Sequence, residues 1–474
     1  MIFAALTALL CLVRLDVYSL GLPVYDAFGD DNKITDLLRQ GHRDYPSTPF
    51  ALVLPGQALI VLPVSEIDTV KSLPDDQLSI KKHHHDQFLG EYSYMGTKAD
   101  EFDATMRINL VRNTPTVLES FAAEVEYAFR AIVGIDRSDW LTVNPRSAMF
   151  RMASILSSRA FVGLPLSREP DWVAAVTTFT GQVSKAWLRL RFVPSQLHRI
   201  VGAFLSETRQ LESSKAYIRQ ELAKHIAIRK NDKQGPGGEL LDWLPTNYTS
   251  TPTLEDLTRD LLLVIFASIY NLSNALTYAM FDLADRPDIV QELREELLQV
   301  VGAGGQVDKS NVGRLRKMDS FLRESQRLSP PSLVNIPRIV TAKDGLELST
   351  GHTIPMGSRV MIRAQPINMS ESLWPDPETF KPWRFAALRA QEGQNENRFQ
   401  HTSTGSDNIN FGHGVWACPG RFFASAQLKV VFAHLIMHYD IRMPDGLPKP
   451  QPKYAALAIF PNAEANIELR TRID

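Results

Sequence analysis

A glycine-rich loop that carries one cysteine constrains this chain more than any other stretch. It runs from Phe411 to Arg421 in the order F-G-H-G-V-W-A-C-P-G-R, and an apolar helical run over residues 422–438 follows it. Backbone N–H groups and a helix N-terminus beside Cys418 favour the thiolate, a form in which proteins ligate haem iron. Gly412, Gly414 and Gly420 would let the backbone lie against a flat macrocycle.

A lone cysteine near a helix start is more often a small buried hydrophobic residue than a metal ligand. The string F-G-x-G-x-x-x-C-x-G shifts that balance, because several constrained positions coincide around Cys418. The whole loop, with Phe411 and its glycines, therefore predicts a metal site.

Composition excludes several other classes of protein. The 474 residues are 44% hydrophobic with a formal net charge of -2, so the chain can bury a large core and shows no bias toward nucleic acid. Cys11 and Cys418 are its two cysteines, which excludes a disulfide framework and a zinc site of paired cysteines, and fits a reducing environment. Length alone suggests about three domains. Composition shows no seam, so we expect a short apolar segment over residues 1–22 and a single domain over residues 23–474.

Hydrophobic periodicity predicts a helix-rich chain with a minor sheet. Phe50–Leu54 and residues 58–63 flank a P-G-Q turn and predict a β-hairpin, and Ser65 with Asp68 predicts a helix cap. His83 to His85 predict a solvated loop, because adjacent histidines do not converge on one metal ion. The remaining predictions are helices at 118–132, 148–161, 172–191, 207–229 and 254–283, strands at 338–340, 346–348 and 359–362, and a polar loop at 230–238.

Two further motifs precede the cysteine loop. Glu324 and Arg327 lie at i and i+3, on one face of a helix. Arg384 lies in F-K-P-W-R-F, residues 380–385. The order Glu-x-x-Arg, F-x-P-x-R-F and cysteine loop resembles the signature of the cytochrome P-450 family. The resemblance implies that Glu324, Arg327 and Arg384 form a buried ion-paired network, with a structural role beneath the loop.

The resemblance covers roughly residues 35–470, and residues 157–163 and 266–286 are similar to the filamentous-fungal branch of secondary metabolism. It implies the cytochrome P-450 fold: mainly α with a minor β part, a small sheet on the N-terminal side, and haem b between two long helices. It also implies that Cys418 is the axial ligand of the haem iron. A separate reductase would pass electrons from NADPH, dioxygen would be cleaved, and one oxygen atom would enter the substrate.

The helix over the haem departs from the family pattern A/G-G-x-D/E-T-T/S. Residues 267–272 read A-S-I-Y-N-L, so Tyr270 replaces the acid and Asn271 replaces the alcohol, with Ser268 nearby. An amide forms hydrogen bonds but does not readily shuttle a proton. Three interpretations stay open: a substrate hydroxyl or held water completes the relay, the reaction is atypical, or Asn271 only packs.

The positions that the resemblance assigns to the haem propionates also differ from the family pattern. Trp416 stands where the family has a cation, two residues before the cysteine. Arg338 is placed like another propionate partner of the family, with a solvated strand-edge arginine as the alternative. The family motif W-x-x-x-R is absent near residues 100–118, where Arg107 and Arg112 are weak substitutes.

Residues 2–13 are apolar and uncharged, shorter than the roughly 20 residues of a spanning helix and without the positive start of a secretory signal. A shallow anchor, a truncated anchor and a buried segment all remain open. The resemblance favours a membrane-associated protein on the endoplasmic reticulum, with its catalytic domain facing the cytosol.

Substrate contacts are implied at mainly apolar positions, which favours a bulky hydrophobic natural product such as a terpenoid, meroterpenoid or indole alkaloid. The alternatives to a monooxygenase are a haem-thiolate enzyme that runs desaturation, ring formation, coupling or isomerisation, and a non-catalytic haem protein. The predicted pocket residues are Phe88, Phe266, Val334 and Phe460, with Tyr92, Phe179, Trp187 and Phe192 as further candidates.

Overall fold

The computed structural model describes residues 18–27, 33–54, 57–97, 100–134, 139–190, 193, 197–231, 238–304, 306–391, 397–455 and 457–472. Four predictions lie outside these residues: most of the N-terminal apolar segment, the Pro55-Gly56 turn, most of the loop at 230–238, and Phe192.

Helices dominate the described part of the chain, and apolar stripes at helical spacing explain them. The longer ones are α1 Lys33–Asp44, α2 Ile80–Gln87, α3 Val111–Ile132, α4 Pro145–Phe161, α5 Pro170–Leu190, α6 Ser206–Asn231, α7 Leu254–Ala284, α8 Pro287–Val301, α9 Arg316–Leu328 and α10 Arg421–His438. Shorter helical segments are Val64–Glu66, Ile67–Val70, Gly90–Ser93, Asp100–Ala104, the π-helix Thr105–Leu110, Leu166–Arg168, His198–Gly202, Leu240–Trp243, Leu244–Asn247, Val312–Arg314, Gln365–Asn368, Arg384–Arg389 and Gly414–Trp416.

The central helix is α7. Thr253 and Asp256 form a capping box at its start, in which each side chain accepts a hydrogen bond from the other residue's backbone N–H, at 3.1 and 3.0 Å. Pro287 begins α8 directly after it, at a position where its missing N–H costs nothing. Among the described helices, α7 alone is long and apolar enough to cross a membrane, but 67% of its most apolar window is buried in the protein. It therefore behaves as a core helix, packed mainly against α4.

The β part forms small sheets. The strands are β1 Val24–Asp26, β2 Phe50–Leu54, β3 Gln57–Leu62, β4 Leu78–Ser79, β5 Leu141–Val143, β6 Val334–Val340, β7 Leu346–Glu347, β8 Thr353–Ile354, β9 Arg359–Arg363, β10 Tyr439–Arg442, β11 Lys453–Ala455, β12 Ala458–Phe460 and β13 Ile467–Thr471. Six strands pair in the order β1-β2-β3-β9-β6-β4, and three pair in the order β10-β13-β5. The predicted hairpin is β2–β3, with Phe50 opposite Val61 and Leu54 opposite Gln57.

Two local predictions are wrong. Ser65 does not cap a helix: Pro63 precedes the 3-10 turn Val64–Glu66, and no side chain caps the helix that continues from it. The three histidines do not form a solvated loop. They lie on α2, where the Ser79 hydroxyl accepts from the Lys82 N–H at 3.0 Å, and helical spacing turns His83 into the core. Burial holds the pKa of His83 well below its ordinary value.

Candidate active site

A saturated ion-pair network joins α9 to the segment that contains Lys381 and Arg384, which precedes the cysteine loop in the chain. Arg327 donates to both carboxylate oxygens of Glu324 at 2.8 Å, and Arg384 reaches the same carboxylate at 3.2 Å. The Lys381 N–H adds a fourth donor at 2.9 Å. Glu324 is fully buried, so each of these donors offsets the cost of taking its charge out of water. The structure thus brings together the three residues that the motifs singled out.

The two arginines also hold backbone carbonyls of the segment that follows the sheet. Arg327 donates to the carbonyls of Asn368 and Pro377 at 2.7 and 2.6 Å, and Arg384 to that of Pro375 at 2.7 Å. This set of bonds fixes residues 368–384 against α9.

Cys418 lies where the loop turns into α10. Its N–H donates to the Phe411 carbonyl at 2.7 Å, and Gly420 is the residue directly before the helix. Gly412 and Gly414 both adopt a positive φ, of 70° and 71°, which only glycine takes without strain. The glycines therefore shape the turn that presents the sulfur.

Two opposing effects act on the Cys418 thiol. The Gly420 and Arg421 N–H groups and the Arg421 guanidinium lower its pKa, as the sequence predicts for a loop at a helix start, whereas burial raises the pKa and is the larger effect. A coordinated metal ion deprotonates a thiol outright. The donors of the loop therefore act in the direction that a thiolate ligand requires.

Trp416 lies between two arginines. The guanidinium carbons of Arg107 and Arg338 lie 5.2 and 5.9 Å from the centroid of its ring. Arg107 is exposed on the π-helix Thr105–Leu110, whereas Arg338 is buried on β6. Arg112 is exposed on α3, and its side chain makes no hydrogen bond or ion pair with the residues described above. The structure thus groups two of the three arginines around Trp416.

Arg338 is a buried cation with unused donors. Its side chain is 2% exposed, one Nη donates to the Pro337 carbonyl at 2.7 Å, and its Nε finds no hydrogen-bond acceptor among the described residues. Burial lowers its pKa to about 10. Such a group is costly unless an anion completes it. The carboxylates of a haem would supply that anion, so the site fits this cofactor. The solvated strand edge that the sequence left open for Arg338 is wrong.

Two positions in the middle of α7 are exposed although their neighbours are core. Ala267 and Asn271 are the exposed residues between Leu257 and Ala284, and their i, i+4 spacing puts them on one face. The Asn271 Nδ2 donates to the Ala267 carbonyl at 3.0 Å. This face of the core helix is therefore exposed rather than packed against a neighbouring element.

Ser268 and Tyr270 do not join Asn271. The Ser268 hydroxyl bonds to the Ser157 hydroxyl on α4 at 3.1 Å. The Tyr270 ring stacks on Phe266 at 6.1 Å and meets Phe460 edge-on at 6.2 Å. Burial raises the pKa of Tyr270 to about 12, so its phenol stays neutral.

The predicted pocket aromatics form a connected row. Phe88 meets Phe266 edge-on at 5.2 Å and lies 6.1 Å from Trp187, so the row continues through Phe266 to Tyr270 and Phe460. Val334 is buried in a neighbouring cluster with Leu333 and Ile459. The Tyr92 hydroxyl donates to the Arg199 carbonyl at 2.9 Å, at the protein surface.

Phe179 is fully buried in the helical core, and its role as a pocket residue stays a prediction. The sequence missed the backbone carbonyls of Lys71 and Leu73, which hold the cysteine loop. Every residue has a backbone carbonyl, so no residue type in the sequence indicates these contacts, and only the structure shows them.

A cysteine loop and a saturated Glu-Arg-Arg network, with an open face on the central helix, define a haem-thiolate protein. A family model described as cytochrome P-450 matches residues 130–468, and the chain belongs to this family. Its similarity to solved structures shows the fold alone: retinoic acid bound cyanobacterial CYP120A1 matches with a TM-score of 0.71 and 17% identity, over 95% of this chain and 99% of that one.

Two fungal relatives are much more similar in sequence. The cytochrome P-450 monooxygenase gliF of Aspergillus fumigatus is 59% identical over 467 residues, which are 96% of this chain and 92% of that protein. The cytochrome P-450 monooxygenase ataF of Aspergillus terreus is 49% identical over 474 residues, which are 99% and 96%.

These relationships confirm several predictions. The protein is a mainly α cytochrome P-450 monooxygenase with a minor β part, of the filamentous-fungal type of secondary metabolism. It uses haem b with a cysteine thiolate, a separate reductase that supplies electrons from NADPH, and a small-molecule substrate. A non-catalytic haem protein is thereby excluded.

Proposed function

We propose that Cys418 is the axial haem ligand and that the enzyme oxidises a bulky, mainly hydrophobic natural-product intermediate that contains rings. The row from Phe88 through Phe266 and Tyr270 to Phe460 carries this proposal, because its two central members, Phe266 and Tyr270, lie on the same helix as the open face at Asn271. Aromatic rings favour stacked or edge-on ring partners and keep water away. Terpenoid, meroterpenoid and indole alkaloid scaffolds are the candidates.

In this proposal the haem supplies the reduction and cleavage of dioxygen. Cys418 holds the cofactor on one side, with the backbone of Phe411, Gly412, Gly414 and Gly420 shaping the loop against it. Arg338 and Arg107 bind its carboxylates. The aromatic row orients the substrate and excludes water, which strengthens every polar contact in the site.

Asn271 is proposed to act as a hydrogen-bond acceptor for the substrate. A backbone carbonyl only accepts, so the atom that contacts the Ala267 carbonyl is the amide nitrogen, which leaves Oδ1 as an acceptor and the second N–H as a donor. An amide N–H forms hydrogen bonds but does not readily give up its proton. This favours a substrate hydroxyl or a held water as the proton donor, and it keeps an atypical reaction such as desaturation, ring formation, coupling or isomerisation as the second candidate.

The test is incubation with reductase, NADPH and the candidate scaffolds under labelled dioxygen, read by mass spectrometry. Label in the product supports oxygen insertion, and an unlabelled product that has lost two hydrogens supports the second candidate. NADPH consumed per product is then compared between the wild type and Asn271→Thr. Unchanged coupling and product in that variant would show that Asn271 only packs.

We further propose that residues 23–474 form one catalytic domain and that residues 1–22 attach it to the endoplasmic reticulum, facing the cytosol. The pairing of β3 with β9 and of β5 with β13 supports one domain, since these strands are far apart in the sequence. Flotation with liposomes, with and without residues 1–22, tests the attachment. Equal binding of both forms contradicts it.

A further inference from the structure

We propose that Trp416 is a positioning residue, which holds the guanidinium groups of Arg107 and Arg338 as a pair for the two carboxylates of the haem. This rests on the proposed role of Cys418. Trp416 itself carries no charge, so it cannot pair with a carboxylate. It instead organises cations from two other elements, the π-helix before α3 and strand β6.

The distances fit attraction between a cation and the face of an aromatic ring. Both guanidinium carbons lie within about 6 Å of the Trp416 ring centroid, at 5.2 Å for Arg107 and 5.9 Å for Arg338. Tryptophan has the most favourable ring for this contact. One ring thus attracts two groups that would repel each other.

The ring cannot easily turn away, because the loop is fixed to the end of the helix Ile67–Val70. Its Nε1–H donates to the Leu73 carbonyl at 2.9 Å, and the Val415 N–H donates to the Lys71 carbonyl at 3.2 Å. Gly414 approaches the Lys71 carbonyl so closely that an added Cβ would lie 2.2 Å from its oxygen. The loop therefore seats Trp416 against a rigid backbone.

No acid takes the donors of the two arginines among the described residues. The Arg338 Nε has no acceptor, and Arg107 makes no ion pair there. Asp75 is the acid that acts on Arg338 through charge, but its carboxylate already accepts from the Ser79 hydroxyl at 3.0 Å and the Ile80 N–H at 3.1 Å. A ring, unlike a carboxylate, occupies no N–H donor. The pair therefore keeps its donors for an anion.

The test is a double-mutant cycle on haem release, followed by transfer of haem to apomyoglobin. Trp416→Leu removes the ring and its anchor, and we expect haem to leave roughly tenfold faster, with a similar increase at low and high salt. Arg107→Ala should raise the rate roughly threefold. The double variant should match Trp416→Leu, since Arg107 is no longer positioned once the ring is gone. If the two single-variant increases in the rate of haem release multiply in the double variant, the proposal is overturned.

Trp140→Leu is the matched control. Trp140 also lies between two arginines, with Arg442 at 4.2 Å and Arg470 at 4.7 Å from its ring, but beside the sheet of β5, β10 and β13. It should release haem at the wild-type rate. An increase equal to that of Trp416→Leu would show a general loss of stability and overturn the proposal.

Trp416→Phe covers the case in which the leucine variant does not fold. It keeps a ring for both guanidinium groups and loses the bond to Leu73, so it should release haem less than about threefold faster. The double variant Trp416→Phe/Arg107→Ala should release haem faster than Trp416→Phe, because the phenylalanine ring still holds Arg107. Equal rates of these two variants would contradict a role for the ring. A thiolate-type spectrum of the reduced, carbon-monoxide-bound protein in each variant separates this failure from an error about Cys418.

Discussion

The molecule contains two pairs of arginines that differ in whether the protein supplies acceptors for their N–H donors. Arg327 and Arg384 donate to the Glu324 carboxylate and to several backbone carbonyls, so the protein itself fills their donors. Arg338 and Arg107 share only the neutral ring of Trp416. The same side chain therefore serves stability where its donors are filled, and ligand binding where they are left open.

The largest expected effect comes from breaking the filled set. Glu324→Gln leaves two buried guanidinium groups without their anion, and we expect it to lower the free energy of unfolding by about 3–5 kcal/mol. The loss should be the same with and without haem, as measured by urea unfolding. Glu119→Gln, in an exposed pair with Lys309, should change stability by less than about 0.5 kcal/mol. If Glu324→Gln loses stability only in the haem-bound form, then the Glu324 network serves haem binding rather than the stability of the protein, and the two sets of arginines do not differ in role.

Removing Arg338, from the set whose donors are left open, should have opposite effects on the stability of the haem-free protein and on haem binding. Arg338→Met removes a buried cation with an unfilled donor, so the haem-free protein should gain about 1 kcal/mol of stability. Haem affinity should fall roughly thirtyfold, or about 2 kcal/mol. Haem titration and urea unfolding of the haem-free protein measure the two effects. A loss of stability in the haem-free form contradicts the account.

A smaller effect is expected from the protonation of His401 in acid. Its ring packs against Phe411, with the ring centres 5.3 Å apart, and its backbone N–H donates to the Asp319 carboxylate at 2.9 Å. Burial lowers its pKa to about 4. Because the unfolded chain takes up this proton below about pH 6.5, stability is lost as the pH falls from about 6.5 to 4. We expect about 1–2 kcal/mol of that loss to disappear in His401→Asn. If the free energy of unfolding falls equally with pH in the wild type and in His401→Asn, this prediction is refuted.

The smallest effect is predicted for Arg112, which the sequence placed with Arg107. It is exposed and makes no polar contact with the described residues, so Arg112→Ala should change the rate of haem release by less than about twofold. Arg107→Ala should exceed it. Equal effects of the two variants would mean that the contact with Trp416 adds nothing.

Long periodic segments were predictable from the sequence. The helix expected at 254–283 spans Leu254–Ala284, and that at 148–161 spans Pro145–Phe161, since an apolar pattern over many turns has one solution. Among the short elements, the hairpin of β2 and β3 was predictable, whereas the cap at Ser65 and the loop at His83 were wrong. The helix at His83 has a clear cap in Ser79, but three histidines in a row mask the apolar stripe, and burial of His83 depends on distant residues.

At the site, the sequence indicated the residues but not the contacts that hold them in place. The order of the motifs indicated Glu324, Arg327 and Arg384 because their spacing repeats a family pattern. The Leu73 carbonyl that anchors Trp416 has no residue identity to detect. The donors beside Cys418, which lower the pKa of its thiol, are visible in the sequence, but the burial that raises this pKa is not.

The most direct test of the central claim is the absorbance of the reduced, carbon-monoxide-bound protein, measured for the wild type and Cys418→Ser. We predict the red-shifted Soret band of thiolate-ligated haem in the wild type and its absence in the variant, with the Glu324 network and the unfolding of the haem-free protein unchanged. A red-shifted band that persists in Cys418→Ser, or is missing from the wild type, would contradict the account.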